Sequence, residues 1–284
     1  MAKTQDLRRR IRSISNTRQL TRAMKTVSAA KLRRAQDRML AARPYAGKVI
    51  GVLQSLAARA NPELHPLLQV HGNRRIDMIL LTADRGLSGS FNANICRTAQ
   101  EFLSGLGGRD ITVHTIGKKG NEYFKRRGYA IGRSWFDVFR DLDYPLVADI
   151  ARFFMDRYEK REVDEIYVAY NEFKSAIQQR PVVERVLPIE PAELESGQAE
   201  DYLYEPNAKA LFDTMIPRYV EVRAFRALLE SVAAEHAARM TAMDAATRNA
   251  GELIDKLTLH MNRVRQASIT TEIIEVVSGA QALG

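Results

Sequence analysis

FRALLESVAAEHAARMTAMDAATRNAGELIDKL, residues 225–257, decides the architecture. Phe225, Leu229, Val232, His236, Arg239, Met243, Ala246, Ala250, Leu253 and Leu257 follow one another in alternating steps of four and three, the spacing of a heptad seam along one side of a helix. The helical pattern extends both ways from this stretch. It reaches back to Pro206-Asn207, where Asn207 suits an N-cap, and forward to about Val277, before Gly279. Pro217 is expected to kink the first turns or to mark a second start. Roughly 75 residues of helix would reach about 110 Å, whereas a small domain is about 30 Å across.

The other end of the chain has the same character. From about Thr4 to Arg59 there is no glycine before Gly47, and Pro44 is the only proline. Leu7, Ile11, Ile14, Leu20, Met24, Val27, Ala35 and Met39 recur at helical spacing, and Asn61-Pro62 ends the run. Such a helix would be roughly 80 Å long. Neither helix fits inside a globule, and each carries a stripe that needs a partner. The economical solution is an antiparallel coiled coil made by the two ends of one chain. Its middle is unusual: His236, Arg239 and many alanines stand where a tight zipper would carry Leu or Ile. Close Ala-type packing accounts for this, and so does a helix with smooth faces surrounded by other protein.

Residues 70–190 follow different rules. Strands are expected at Ile76–Thr82, Asp110–Ile116, Glu165–Ala169 and Val182–Leu187, and helices at Asn92–Leu106, Gly120–Arg127 and Ile150–Glu159. Strands alternating with helices predict a mainly parallel, Rossmann-like three-layer α/β/α domain. The expected organisation is a shaft helix over 1–60, a globular α/β domain over 70–190, an acidic connection over 191–206, and a second shaft helix over 207–284 that pairs with the first.

Charge is distributed along this plan. Residues 1–60 carry 15 Lys and Arg against 2 acids, residues 61–206 carry 19 against 23, and residues 207–284 carry 9 against 9. The basic arm calls for an acidic partner: nucleic acid, anionic lipid or an acidic protein surface. A phosphate backbone would accept Arg8, Arg9, Arg12, Arg18 and Arg22, but no aromatic residue interleaves with the cations before Tyr45, and no nucleic-acid motif is present. With a single cysteine, Cys96, no intrachain disulfide can form. No apolar run is long enough for a bilayer span, and the Arg-rich start lacks the apolar core of a secretory signal.

Catalytic chemistry finds no constellation. The turn DRGLSGSFN lacks GxGxxG and GxxxxGK[ST], and Gly117-Lys118-Lys119-Gly120 is too short for a phosphate loop. His65, His71, His114, His236 and His260 form no metal-ligand spacing, and Ser88 is not in a GxSxG elbow. No catalytic residue, cofactor or metal is expected.

Four stretches carry a resemblance. NTRQLTRAMKTVSAAKLRRAQ (Asn16–Gln36), TADRGLSGSFN (Thr82–Asn92), DYLYEPNAKALFDTMIPRYV (Asp201–Val220) and above all AARMTAMDAATRNAGELIDKLTLHMNRVRQASITTEIIEVVSGA (Ala237–Ala280) closely resemble the gamma subunit family of F-type ATP synthases. The likeness spans nearly the whole chain and is weakest at about 129–163 and 188–200. Ser88 and Ser90 replace the family's usual Cys and Gly, and the redox insert of the chloroplast form is missing. The resemblance implies a non-catalytic central stalk, one copy per complex. This stalk rotates inside a ring of three alpha and three beta subunits and couples proton flow through the c-ring to ATP synthesis or hydrolysis on beta. It implies contact with the epsilon subunit, no nucleic acid, and a peripheral place on the cytoplasmic face of a bacterial inner membrane, held there only through the complex. By motif position it implies that Met24 and Lys25, and at a higher level Arg265, Gln266, Thr270 and Glu272, face beta. Tyr202 and Tyr204 would face epsilon.

Overall fold

The computed structural model describes residues 2–57, 65–189 and 208–282. Its contacts divide the chain into two compact units, one formed by Met1–Ala29 with Arg239–Gly284 and the other by Ala30–Ala238. Two helices run through both: α1 (Ala2–Ala57) and α5 (Ala208–Ala282). Each continues past its proline, Pro44 in α1 and Pro217 in α5, so Pro217 marks no second start. The expected N-cap Asn207 and the acidic connection 191–206 lie outside the described residues.

In the larger unit, five strands form one sheet in the order β3-β2-β1-β4-β5. They are β1 (Arg75–Leu81), β2 (Asp110–Ile116), β3 (Ala130–Trp135), β4 (Glu165–Phe173) and β5 (Gln179–Leu187). The first four are mutually parallel, and β5 returns antiparallel to β4. The strands alternate with α2 (Phe91–Gly105), α3 (Lys118–Lys125) and α4 (Tyr144–Glu159). The central strand reads RIDMILL because both its faces are covered. Met78 and Leu80 pack with Ile95, Ala99 and Leu103 of α2 and Phe124 of α3. Ile79 and Leu81 point the other way, toward Ile150 and Phe154 of α4 and Val220 and Leu228 of α5. The expected three-layer α/β arrangement is therefore what forms.

Two elements depart from the sequence expectation. Helix α4 starts six residues earlier than Ile150 because Asp143 caps it, its carboxylate accepting from the Leu146 N–H at 3.0 Å, with a proline in the first turn. Strand β3 was not expected at all. Its sequence, AIGRSW, lies on the sheet edge and has no apolar alternation.

What holds β3 is a buried side chain. The backbone N–H of Arg133 donates to His114 Nδ1 at 3.0 Å. The proton of the neutral ring then sits on Nε2, which faces Asp77 Oδ2 at 3.2 Å. Arg157 Nε donates to the same carboxylate oxygen at 2.8 Å, and its Nη1 reaches Glu162 at 2.8 Å. The strand can approach this ring only because residue 132 is glycine: a Cβ there would lie 2.4 Å from the imidazole carbon and 2.7 Å from Nδ1. At the start of β1, two residues before Asp77, Asp164 accepts from the backbone N–H groups of Arg74 and Arg75 and from the Arg75 guanidinium at 2.6 Å.

Replacing Gly132 with Ala should destabilise the chain by about 1–3 kcal/mol through overpacking, read as a lower urea midpoint. Part of that loss should return in a G132A/H114A double variant, and strict additivity would exclude the contact. The carboxylates set a pH dependence. The Arg75 hydrogen bond holds Asp164 below the ordinary range. Burial pulls Asp77 upward, but hydrogen bonds from His114 and Arg157 prevail and leave it low as well. Depressed native values mean stability that is present above the unfolded value of about 4 and lost as pH falls through the native ones. Between pH 7 and pH 3 the urea midpoint should therefore fall, and D164N should make that fall shallower.

Candidate functional site

An α/β sheet of this kind most often binds ligands beyond the carboxyl ends of its strands, at helix N-termini. At the N-terminus of α3 that position is filled by the chain itself. The first three N–H groups of α3 are all taken by residues 82–84: Lys118 donates to Asp84 Oδ1 at 3.1 Å, Lys119 to Ala83 O at 3.2 Å, and Gly120 to Thr82 Oγ1 at 2.9 Å. The other oxygen of Asp84 accepts from Asp137 N–H at 3.0 Å. Asn92 Oδ1 closes the turn by accepting from Ala83 N–H at 2.9 Å. Gly117, at φ +96°, lies so close that a Cβ would stand 2.0 Å from the Thr82 carbonyl oxygen. A phosphate would have to displace a carboxylate and a strand end. Among the described residues there is also no group of three or more metal-ligating side chains and no helix long and apolar enough to cross a membrane.

The remaining candidate is the surface of the smaller unit, where the two chain ends meet. Rising residue numbers on α1 meet falling numbers on α5, so the pair is antiparallel. Thr21 Oγ1 lies 2.8 Å from Thr247 Oγ1, Lys25 Nζ lies 2.5 Å from Asp244 Oδ1, and Arg18 stands against Gly251. On α1 the buried or half-buried positions Leu7, Ile11, Ile14, Thr21, Lys25 and Ser28 keep a strict four-three alternation, with Arg18 filling the remaining step, and in the larger unit Leu32, Ala35 and Met39 of the same helix continue it. On α5 Met243, Thr247, Ala250, Ile254, Leu257, Met261, Val264 and Ser268 do the same. This is the alternation of a left-handed coiled coil.

The seam differs from the sequence expectation on both helices. Leu20 and Val27, read as part of the inward stripe, are 61% and 55% exposed, whereas Thr21 and Ser28 are buried. On α5 the seam passes through Thr247 and Ile254 in place of Ala246 and Leu253. Adjacent small or apolar residues allow either phase, and the partner helix chooses between them. The outward faces therefore carry apolar side chains. Beside Leu20 and Val27 these include Leu259 on α5, and further along, where α5 runs past the start of α1, Ile269, Ile273, Val276 and Val277 are exposed as well.

The site residues expected from motif position fall on this unit, except Tyr202 and Tyr204, which lie outside the described residues. Met24 and Lys25 are half-buried on α1. Arg265, Gln266, Thr270 and Glu272 are all exposed on α5. Arg265 and Glu272 lie two turns apart on one face, and the Thr270 hydroxyl donates back to the Gln266 carbonyl at 3.0 Å. Because Lys25 is level with Asp244, the Arg265 group stands about 30 Å further along the axis at 1.5 Å per residue. The two sets form two separate levels and not one cluster. Asp244, Thr21 and Thr247 were not singled out from sequence. The available signal was the pairing of Lys25 with an acid at a heptad position of the other helix.

Comparison with known proteins gives consistent likenesses. A family model described as ATP synthase matches residues 3–283. The chain is 50% identical over 282 residues to the ATP synthase gamma chain of Solibacter usitatus, covering 98% of each. It is 48% identical over 289 residues to that of an Anaeromyxobacter species, covering 100% of each. Among solved structures, a chain of the Euglena gracilis mitochondrial ATP synthase, in an OSCP/F1/c-ring assembly, superposes with a TM-score of 0.71 at 17% identity over 99% of this chain and 95% of that one. A chain of the Tetrahymena thermophila mitochondrial ATP synthase central stalk and c-ring gives 0.63 at 23% identity over 80% and 99%. At these identities the structural likeness speaks to the fold.

Proposed function

The chain belongs to the ATP synthase gamma-chain family, and from that premise we propose that it is the central rotor shaft of a bacterial proton-translocating F-type ATP synthase. In this reading the chain holds no catalytic site of its own. It turns as a single copy inside three alpha and three beta subunits, with the epsilon subunit and the c-ring at its lower end, and so sits peripherally on the membrane.

The observation that carries this reading is the outward apolar surface of the paired helices. A free coiled coil buries its apolar residues in the seam and leaves polar ones outside. Here Leu20 and Val27 on α1 and Leu259 on α5 face out of the pair while Thr21 and Ser28 face in, and Ile269, Ile273 and Val277 stand exposed on the stretch of α5 that α1 does not reach. Such a surface calls for surrounding protein. Between the apolar side chains stand exposed arginines, Arg8, Arg9, Arg12 and Arg22, suited to acidic loops on an enclosing ring. Exposed ion pairs contribute about 0–1 kcal/mol each, weak enough to exchange as the shaft turns. Met24, with Lys25 beside it, marks one contact level with beta, and Arg265, Gln266, Thr270 and Glu272 the other. Orientation of the shaft would then bias which beta site is open, a coupling through a rigid mover.

Reconstitution tests the reading. The chain mixed with alpha and beta subunits should elute as a complex with one copy of this chain and restored ATP hydrolysis, and a chain that elutes alone would overturn it. In the assembled enzyme, Arg265→Ala should lower ATP-driven proton pumping relative to hydrolysis while leaving the isolated chain's melting curve unchanged. Unaltered pumping would remove Arg265 from the contact.

A further inference from the structure

Motif position puts Lys25 where an ammonium could reach a partner's carboxylates. Its ammonium is in fact engaged within the chain. Lys25 Nζ donates to Asp244 Oδ1 at 2.5 Å, and the second oxygen of that carboxylate lies 3.5 Å from Arg248 Nη1 on the same helix. One turn away the Thr21 and Thr247 hydroxyl oxygens are 2.8 Å apart. Each hydroxyl has one proton to give. Thr247 gives its own to the Met243 carbonyl at 2.7 Å, which leaves Thr21 as the donor between helices, in preference to its longer 3.0 Å alternative at Arg18 O.

These groups sit in a seam that is otherwise poor at specifying alignment. Ser28, Ala250 and Gly251 flank them, and small side chains meeting small side chains change little when one helix slides by a heptad, about 10 Å. Polar groups at seam positions are what select one register over another. A slip of one heptad in one direction sets Lys25 opposite Gly251 and Asp244 opposite Leu32. In the other direction it sets Lys25 opposite Ala237 and Asp244 opposite Arg18, with the Thr21 and Thr247 hydroxyls parted. Both leave Lys25 without an acid. Only the observed register pairs the charges and the hydroxyls together.

We propose that Lys25 and Asp244, with Thr21 and Thr247, form a polar key that fixes the axial register of the two shaft helices, and that Lys25 is thereby a positioning residue and not a direct ligand of the surrounding ring. The functional side of this inference rests on the rotor reading above. The key determines the height of Arg265 on α5 against Met24 on α1. A shaft out of register would present its two contact levels about 10 Å too near or too far apart.

A charge-swap cycle in the full chain tests it. K25D, D244K and the K25D/D244K swap are compared by thermal melting of the isolated chain and, after reconstitution with the other subunits in vesicles, by protons pumped per ATP hydrolysed. Each single variant should lower the melting midpoint and cut the pumping ratio by about threefold or more, and the swap should restore both. A swap no better than the worse single variant would overturn the key, as would a K25D chain that melts normally yet pumps poorly, since Lys25 would then be acting on a partner. If a single variant does not fold, recovery of a cooperative melt in the swap decides the matter alone. If the wild-type chain fails to assemble, the rotor reading falls while the melting arm still decides the key.

Discussion

The arrangement rests on one constraint: two helices from opposite ends of the chain must cover each other's stripe, and they do so antiparallel with a seam of small and polar residues. A seam of Leu and Ile would supply more burial, at about 25 cal/mol per Å² of apolar surface. This one buries Thr21, Ser28, Met243 and Ala250 and half-buries Lys25 and Asp244. It gives up hydrophobic stabilisation and gains close approach and a defined register. The larger apolar side chains are displaced to the outer faces, where they need a second partner. The same substitution of small for large explains both the tight pairing and the outward stickiness.

The α/β unit shows how the chain itself can occupy one of the helix ends that such a topology offers. Parallel strands and following helices create vacant N–H groups at one sheet edge. Thr82, Ala83 and Asp84 take up those of α3, and Asp84 ties in the backbone after β3 as well. A carboxylate in that place is both the acceptor the helix end requires and a barrier to any phosphate. The fold class therefore says little about activity. What decides against a phosphate at the N-terminus of α3 is the identity of the side chain that reaches it. Cys96 is likewise a packing residue: it lies in the core between α2 and the sheet, and burial pushes its thiol up to about 12, far from a reactive thiolate.

Much of this was readable from residue order, for identifiable reasons. Buried strands such as RIDMILL and DITVHTI announce themselves by their β-branched and aliphatic content, and the 56 and 75 residues of α1 and α5 by a long periodicity free of breakers strong enough to stop them. Strand β3 was invisible because its support is not in its own sequence. It depends on an imidazole from β2, held by a carboxylate from β1, and on the lack of a side chain at Gly132. The seam was half visible. Met243, Ala250 and Leu257 were placed correctly, but the choice between Ala246 and Thr247, or Leu253 and Ile254, turns on about 100° of helix rotation that local pattern does not resolve.

By itself the sequence determined most of the element types, the antiparallel use of the two chain ends, the mainly parallel sheet, and the absence of any recognisable catalytic motif. These follow from local periodicity, breakers and charge, each carried by neighbouring residues. The tertiary structure alone decided which face of each long helix turns inward, that Lys25 is matched by Asp244, that Asp84 occupies the helix end, and that His114 holds the edge strand. Each of these joins residues tens to hundreds of positions apart. Their energies come from a hydrogen bond or a steric limit that exists only once both partners have arrived, and so leave no periodic trace in either segment.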